Sequence, residues 1–174
     1  MSAWELLKSH WEQPEYLHVL LNPLSLWGTF LGLIGLLLAQ ALRSRPAQIV
    51  ALSLLFIGAI SAWPVVELGQ GAYDRVLSMS DTTGAAWLHE HMDRAEDLLW
   101  VFIATAVLAL ATLFLPIKWP RSARPLLVLT IIGTLASLGC GAWIGYAGGQ
   151  VRHKEFRYGT PPPVPPEEEE HHHH

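Results

Sequence analysis

Four uncharged, apolar stretches dominate this chain: Leu17 to Leu42, Ile49 to Val66, Leu98 to Ile117 and Pro125 to Tyr146. Each is near the ~20 residues that cross ~30 Å of hydrocarbon at a helical rise of ~1.5 Å per residue. One such stretch could be a buried core helix. Four of them in 174 residues leave too little polar sequence to cover them all in water. Charged residues make up only 15% of the chain, and they cluster in the gaps between the apolar blocks. The expected fold is therefore all-α: an integral membrane four-helix bundle, with the lipid bilayer as its first partner.

The gaps divide the bundle. Arg43-Ser44-Arg45-Pro46 and Lys118 to Pro125 are short turns, and their prolines suit the first turn of a following helix. They predict two helical hairpins, joined by a linker from Glu67 to Asp97 that turns helical and polar from about Ala85. Residues 1–16 read as a short amphipathic segment at the membrane interface, with Trp4, Leu7 and Trp11 on one face. Residues 17–158 form the expected transmembrane domain. Residues 159–174 form a Pro/Glu/His tail: a polyproline run, then Glu167 to Glu170 and His171 to His174. That last run reads as an expression tag or as a metal-binding tail, and the tail is expected to be disordered.

Both short turns are basic and lack acids, carrying Arg43, Arg45, Lys118, Arg121 and Arg124. The positive-inside rule places them in the cytoplasm, with both termini and the long linker outside. Arg152, Lys154 and Arg157 oppose this, since they follow the fourth helix on the outer side. The expected location is a bacterial inner membrane, multi-pass, with N and C termini out. The net charge of −4 implies no basic face for nucleic acid. The lone Cys140 can form no internal disulfide.

Polar residues inside the blocks form stripes. His18, Asn22, Ser25 and Thr29 are spaced to share one face of the first helix, continued by Gly32. Thr130, Thr134, Ser137, Gly141, Gly145 and Gly148 do the same on the fourth. Such faces are expected to point into the bundle, and the Gly28/Gly32 and Gly141/Gly145 pairs predict close contact of the first and fourth helices. Packing alone explains stripes of this kind; room for a flat cofactor is the functional alternative.

No motif names a reaction: GxSxG, HExxH, a Walker loop and GxGxxG are all missing from the sequence. No acidic residue lies deep within an apolar block, which disfavours a proton relay or an ion-coupled transporter. The histidines remain. His10, His18, His89, His91 and His153 all fall on the expected outer side, as does Glu67. A cluster there could ligate haem iron or a transition metal. His18 and His91 are expected to approach each other, with Asn22 orienting a ligand from below and Arg152 pairing with a haem propionate. His153 or Glu67 would complete a metal site with the same two histidines. The bland reading is that each histidine hydrogen-bonds its neighbours at an interface.

The stretch Leu17-His18-Val19-Leu20-Leu21-Asn22-Pro23-Leu24-Ser25-Leu26-Trp27-Gly28 resembles the start of an uncharacterised bacterial family of small four-helix membrane proteins. The first helix of that family typically reads LHLLLNHLPVIG. Trp87-Leu88-His89-Glu90-His91 looks like the family's His-Glu segment before the third helix, and Gly148-Gly149 resembles the Gly-Gly end of related domains. The resemblance covers roughly residues 16–117. It implies the four-helix fold, carries over His18, Asn22 and His91, and suggests a cytochrome-like haem role. Pro23 stands where the family has a second histidine, so a ligand pair relying on that position is in doubt.

Three functions follow as expectations: a membrane protein with an outer-side haem b or metal site and a redox-related role, a non-enzymatic accessory subunit that packs as a homo-oligomer or in a larger membrane complex, or a small-solute transporter.

Overall fold

The computed structural model describes residues 2–163 and, at Ala3, Leu6, Leu7 and His10, the backbone alone. The Leu7 side chain and the Glu and His runs of the tail lie outside the described residues. Within them every regular element is helical. A short α1 (Ala3–Trp11) precedes α2 (Pro14–Pro23), a π-helical turn (Leu24–Gly28) and α3 (Thr29–Ala41). Then come α4 (Arg45–Ile60), α5 (Ala62–Ser78), α6 (Thr82–Lys118) and α7 (Ala123–Arg152). These make four helical runs long and apolar enough to cross a membrane: Pro14–Ala41, Arg45–Ser78, Thr82–Lys118 and Pro120–Arg152.

Local chemistry explains the breaks. Pro23 sits inside the first run with no N–H to give, and the backbone widens into the π-helical turn just after it. Pro64 likewise leaves the Ile60 carbonyl without its i+4 donor, and the second run is interrupted nearby at Ser61. Ser44 caps α4, with Pro46 in its first turn. The α3 helix closes through a bond from the Ser44 N–H to the Ala39 carbonyl, 3.0 Å, with Arg43 at φ 52°. That is the left-handed closing turn usually given to glycine.

The long outer linker of the sequence reading is corrected. Glu67 to Ser78 continues α5, and only Met79 to Asp81 separates it from α6. Asp81 caps α6 by accepting from the Gly84 N–H at 2.7 Å, so the polar stretch folds as a helical extension beyond the apolar block. The first long helix likewise begins at Pro14, ahead of the expected Leu17.

The α3 helix packs on α4, α6 on α7 and on α4, and α2 on α5. One core cluster gathers Leu36, Ala51, Leu52, Leu55 and Ala109 near the basic turns; a second gathers Trp87, Leu88, Ala147 and Val151 at the opposite end. Between them the interior is small and hydroxylated. Thr29, Thr105, Thr130, Thr134 and Ser137 are fully buried, while Leu31, Leu38, Val107, Ile132 and Leu135 are exposed. Thr105 meets Ser137 at 2.9 Å and Thr112 meets Thr130 at 2.7 Å, tying α6 to α7.

The glycine contacts differ from the expectation. Gly28 and Gly32 lie against Gly58 and Leu55 of α4; they do not meet Gly141 and Gly145. Gly145 is exposed, with nothing near its missing Cβ, and Gly141 takes the Leu26 side chain. Gly58 supplies the matching gap on α4, a partner that a search for GxxxG pairs on the first and fourth helices does not consider.

Candidate histidine-pair site

His18, on α2, and His91, on α6, come together in a T-shaped arrangement, with ring centroids 6.4 Å apart and planes at 89°. They come from elements 73 positions apart in sequence, and both are half-buried. Each is held the same way. The Nδ1 of His18 lies 2.8 Å from the Val65 carbonyl on α5, and the Nδ1 of His91 lies 3.0 Å from the Ile144 carbonyl on α7. A carbonyl can only accept, so in each ring Nδ1 carries the proton and donates it. For a neutral imidazole this leaves the Nε2 lone pair free, the form in which histidine binds a metal.

The packing repeats as well. One helical turn beyond Val65 stands Gly69, where a Cβ would come within 3.1 Å of the His18 ring. One turn beyond Ile144 stands Gly148, where a Cβ would come within 3.0 Å of the His91 ring. Each imidazole therefore lies in a notch made by a carbonyl at position n and a glycine at n+4 of the adjoining helix.

The other expected site residues lie elsewhere. Asn22 is exposed; its side chain has no hydrogen-bond partner among the described residues, and its backbone carbonyl accepts from Ser25 Oγ at 2.9 Å. The orienting role expected of Asn22 falls to the Val65 carbonyl, because the His18 ring turns toward α5. Glu67 is exposed and accepts from Trp63 Nε1 at 3.2 Å. His153 is exposed, bonded to Glu155 at 2.9 Å and stacked on Phe156. Arg152 reaches the Met79 carbonyl at 3.5 Å. Among the described residues, no three His, Cys, Asp or Glu side chains gather as a metal site. The four-residue metal set is thus not assembled. His89 pairs with Asp93 on its own helix at 3.0 Å.

Sequence reasoning missed Arg94. One turn after His91, its side chain donates to Glu90 at 2.7 Å and to the Trp143 carbonyl at 2.9 Å, and its guanidinium lies 3.7 Å over the Trp143 ring. Trp143 stacks on Tyr146, which meets Trp87 edge-on. The i, i+4 spacing of Glu90 and Arg94 was the available signal.

Comparison with protein-family models, with curated proteins and with solved structures returned no match. The site therefore rests on its own geometry.

Beside it a charged latch closes the same end of the fold. Arg157 donates to both Asp81 carboxylate oxygens, at 2.9 and 3.0 Å, and Lys154 lies 3.0 Å from the same group. Arg157 also donates to the Gln150 and Val151 carbonyls, each at 2.7 Å. With the Arg157 contact foremost, then the Gly84 N–H and Lys154, the Asp81 carboxyl is held well below the usual carboxylate range. Of the three cations that opposed the topology argument, Lys154 and Arg157 are paired here with an acid, whereas Arg152 reaches a backbone carbonyl.

Proposed function

We propose that this chain is a multi-pass membrane protein, built as two helical hairpins, whose His18–His91 pair holds a haem b through two axial imidazoles for a redox-related role. The inverted burial pattern supports the membrane part. Large aliphatic side chains cover the outside, hydroxyls and glycines fill the inside, and no bulk water need be excluded. The basic turns face the cytoplasm in this reading. On the opposite side Lys154 and Arg157 pair with Asp81, Arg94 with Glu90, and Arg75 with Glu15, leaving Arg152 on a backbone carbonyl, while Arg43, Arg121 and Arg124 have no acidic partner among the described residues.

The observation that carries the haem reading is the pair itself. With metal–nitrogen bonds of about 2.0 Å and about 1.1 Å from nitrogen to ring centre, two opposed imidazoles on one iron have centroids about 6 Å apart. The 6.4 Å found between His18 and His91 is close to that spacing. The donor set also favours haem over a bare metal ion. A structural zinc site needs four protein ligands, whereas a porphyrin supplies four of its own and leaves two axial positions for the chain. Bound there, the haem would supply one-electron chemistry. The chain's own part is to fix both Nδ1–H tautomers through Val65 and Ile144, and to screen the site with the Trp87, Trp143 and Tyr146 rings.

The purified protein in detergent should show a Soret band that is lost in His18→Ala and in His91→Ala. A colourless, haem-refractory protein whose thermal stability falls in the same two variants would instead make the histidines structural pins and favour the accessory-subunit reading.

A further inference from the structure

At the opposite end of the bundle, a cavity of about 230 Å³ opens between α3, α4, α6 and α7. Gln40, Arg45, Gln48 and Arg124 line it, with Leu52 and Leu127 among its apolar walls. No acidic side chain lines it, and neither bordering turn contains one. Its hydrogen bonding is lopsided. Arg45 donates to the Leu113 carbonyl at 3.1 Å and to Gln48 Oε1 at 3.3 Å, and Gln48 Nε2 donates to Gln40 Oε1 at 3.4 Å. Each glutamine oxygen thus accepts one bond from within the cavity wall. The Gln40 amide N–H groups and the whole Arg124 guanidinium have no partner among the described residues. Arg45 and Arg124 are both exposed, and two cations with spare donors and no carboxylate among the lining residues suit a multi-oxygen anion.

We propose that this cavity binds the phosphate of an anionic phospholipid, with the two arginines on its oxygens and the acyl chains against the outer surface of the bundle. The lipid, as opposed to free phosphate, is favoured by the apolar walls and by the position. The cavity lies at the ends of the spanning runs, where Leu42, Ile49 and Ile117 are exposed and Lys118 lies 4.9 Å over the exposed Trp119 ring. That is the composition of a membrane–water interface, and basic pockets between helices at this level suit acidic head groups. The inference rests on the membrane-spanning reading above but not on the haem. Whether the chain leaves membranes only in detergent tests that reading separately.

The full chain in neutral detergent is titrated with phosphatidylglycerol, with phosphatidylcholine and with inorganic phosphate, and binding is read from the saturable rise in Tm. Phosphatidylglycerol should raise Tm, and the other two should not at equal concentration. Arg124→Gln removes a side chain with no internal bond, so it should fold normally, yet weaken the apparent affinity about fivefold. Arg121→Gln removes the same charge from the same turn but does not line the cavity, and it should change affinity less than about twofold. Equal losses in the two variants, or no shift with phosphatidylglycerol, would overturn the site. A response to inorganic phosphate matching the lipid's would overturn the assignment to lipid.

Discussion

The His91 ring lies against the backbone of Gly148, close enough that a Cβ added there would sit 3.0 Å from its Cε1 and Nδ1 atoms. Gly69 stands in the same relation to His18. The two notches hold the imidazoles with their centroids 6.4 Å apart, and an alanine in either would push its ring by a few tenths of an ångström. Gly148→Ala and Gly69→Ala should each weaken haem retention about tenfold, as loss of a ligand's supporting contact does. Haem titration followed at the Soret band checks this. Gly139→Ala, where nothing lies near the missing Cβ, should leave retention unchanged.

Gly58 is the glycine on which the first two long helices depend. A Cβ there would fall 2.6 Å from the Gly28 carbonyl carbon, backbone that cannot move aside. Gly58→Ala should destabilise the fold by about 3 kcal/mol, near the upper end for overpacking. The control Gly139→Ala should be neutral or gain up to about 1 kcal/mol from helix propensity. Reversible unfolding in mixed micelles measures both, and equal stabilities would refute the close approach.

The two hydroxyl pairs are a weaker tie. Thr105 also donates toward the Val101 carbonyl of its own helix, and Thr112 toward that of Leu108, so losing the partner across the interface strands no donor. Ser137→Ala should cost only about 0.6 kcal/mol, the usual worth of a hydrogen bond between membrane helices. A loss several times larger would mean that the pair does more than join α6 to α7.

Asp81 predicts how stability responds to acid. Its carboxyl titrates lower in the folded chain than in the unfolded one, so the folded state favours the charged form. The resulting stabilisation is complete above the unfolded value of about 3.9 and is lost as pH falls below it toward the folded value. The difference in Tm between the native chain and Asp81→Asn should therefore be constant from about pH 7 to 5 and shrink below about pH 4. A difference that stays constant down to pH 3 would remove Asp81 from the latch.

Orientation is open to cysteine labelling. In intact cells an impermeant thiol reagent should reach Ser80→Cys, in the short connection between α5 and α6, and should spare Ser44→Cys in the first basic turn. The opposite pattern would invert the topology.

Much of this protein can be read without coordinates. The four apolar runs, the basic turns and the burial of Thr29, Thr130, Thr134 and Ser137 all follow from where charge and small polar residues fall along the chain. Such patterns are local, because hydrocarbon length and the cost of a polar group in lipid act on each helix separately. His18 and His91 were legible as candidates for the same reason, each standing at the end of an apolar run away from the basic turns. What their spacing could not convey was the partners of each ring. Asn22 shares a helical stripe with His18 yet is exposed, and the orienting acceptors are the backbone carbonyls of Val65 and Ile144, which have no signature in the sequence. Gly28 and Gly32 looked suited to meet Gly141 and Gly145, but they turn to α4 and pack on Gly58 and Leu55, while Gly141 takes the Leu26 side chain. Which face meets which depends on how helices rotate about their own axes, and only the packing of all of them together fixes that angle.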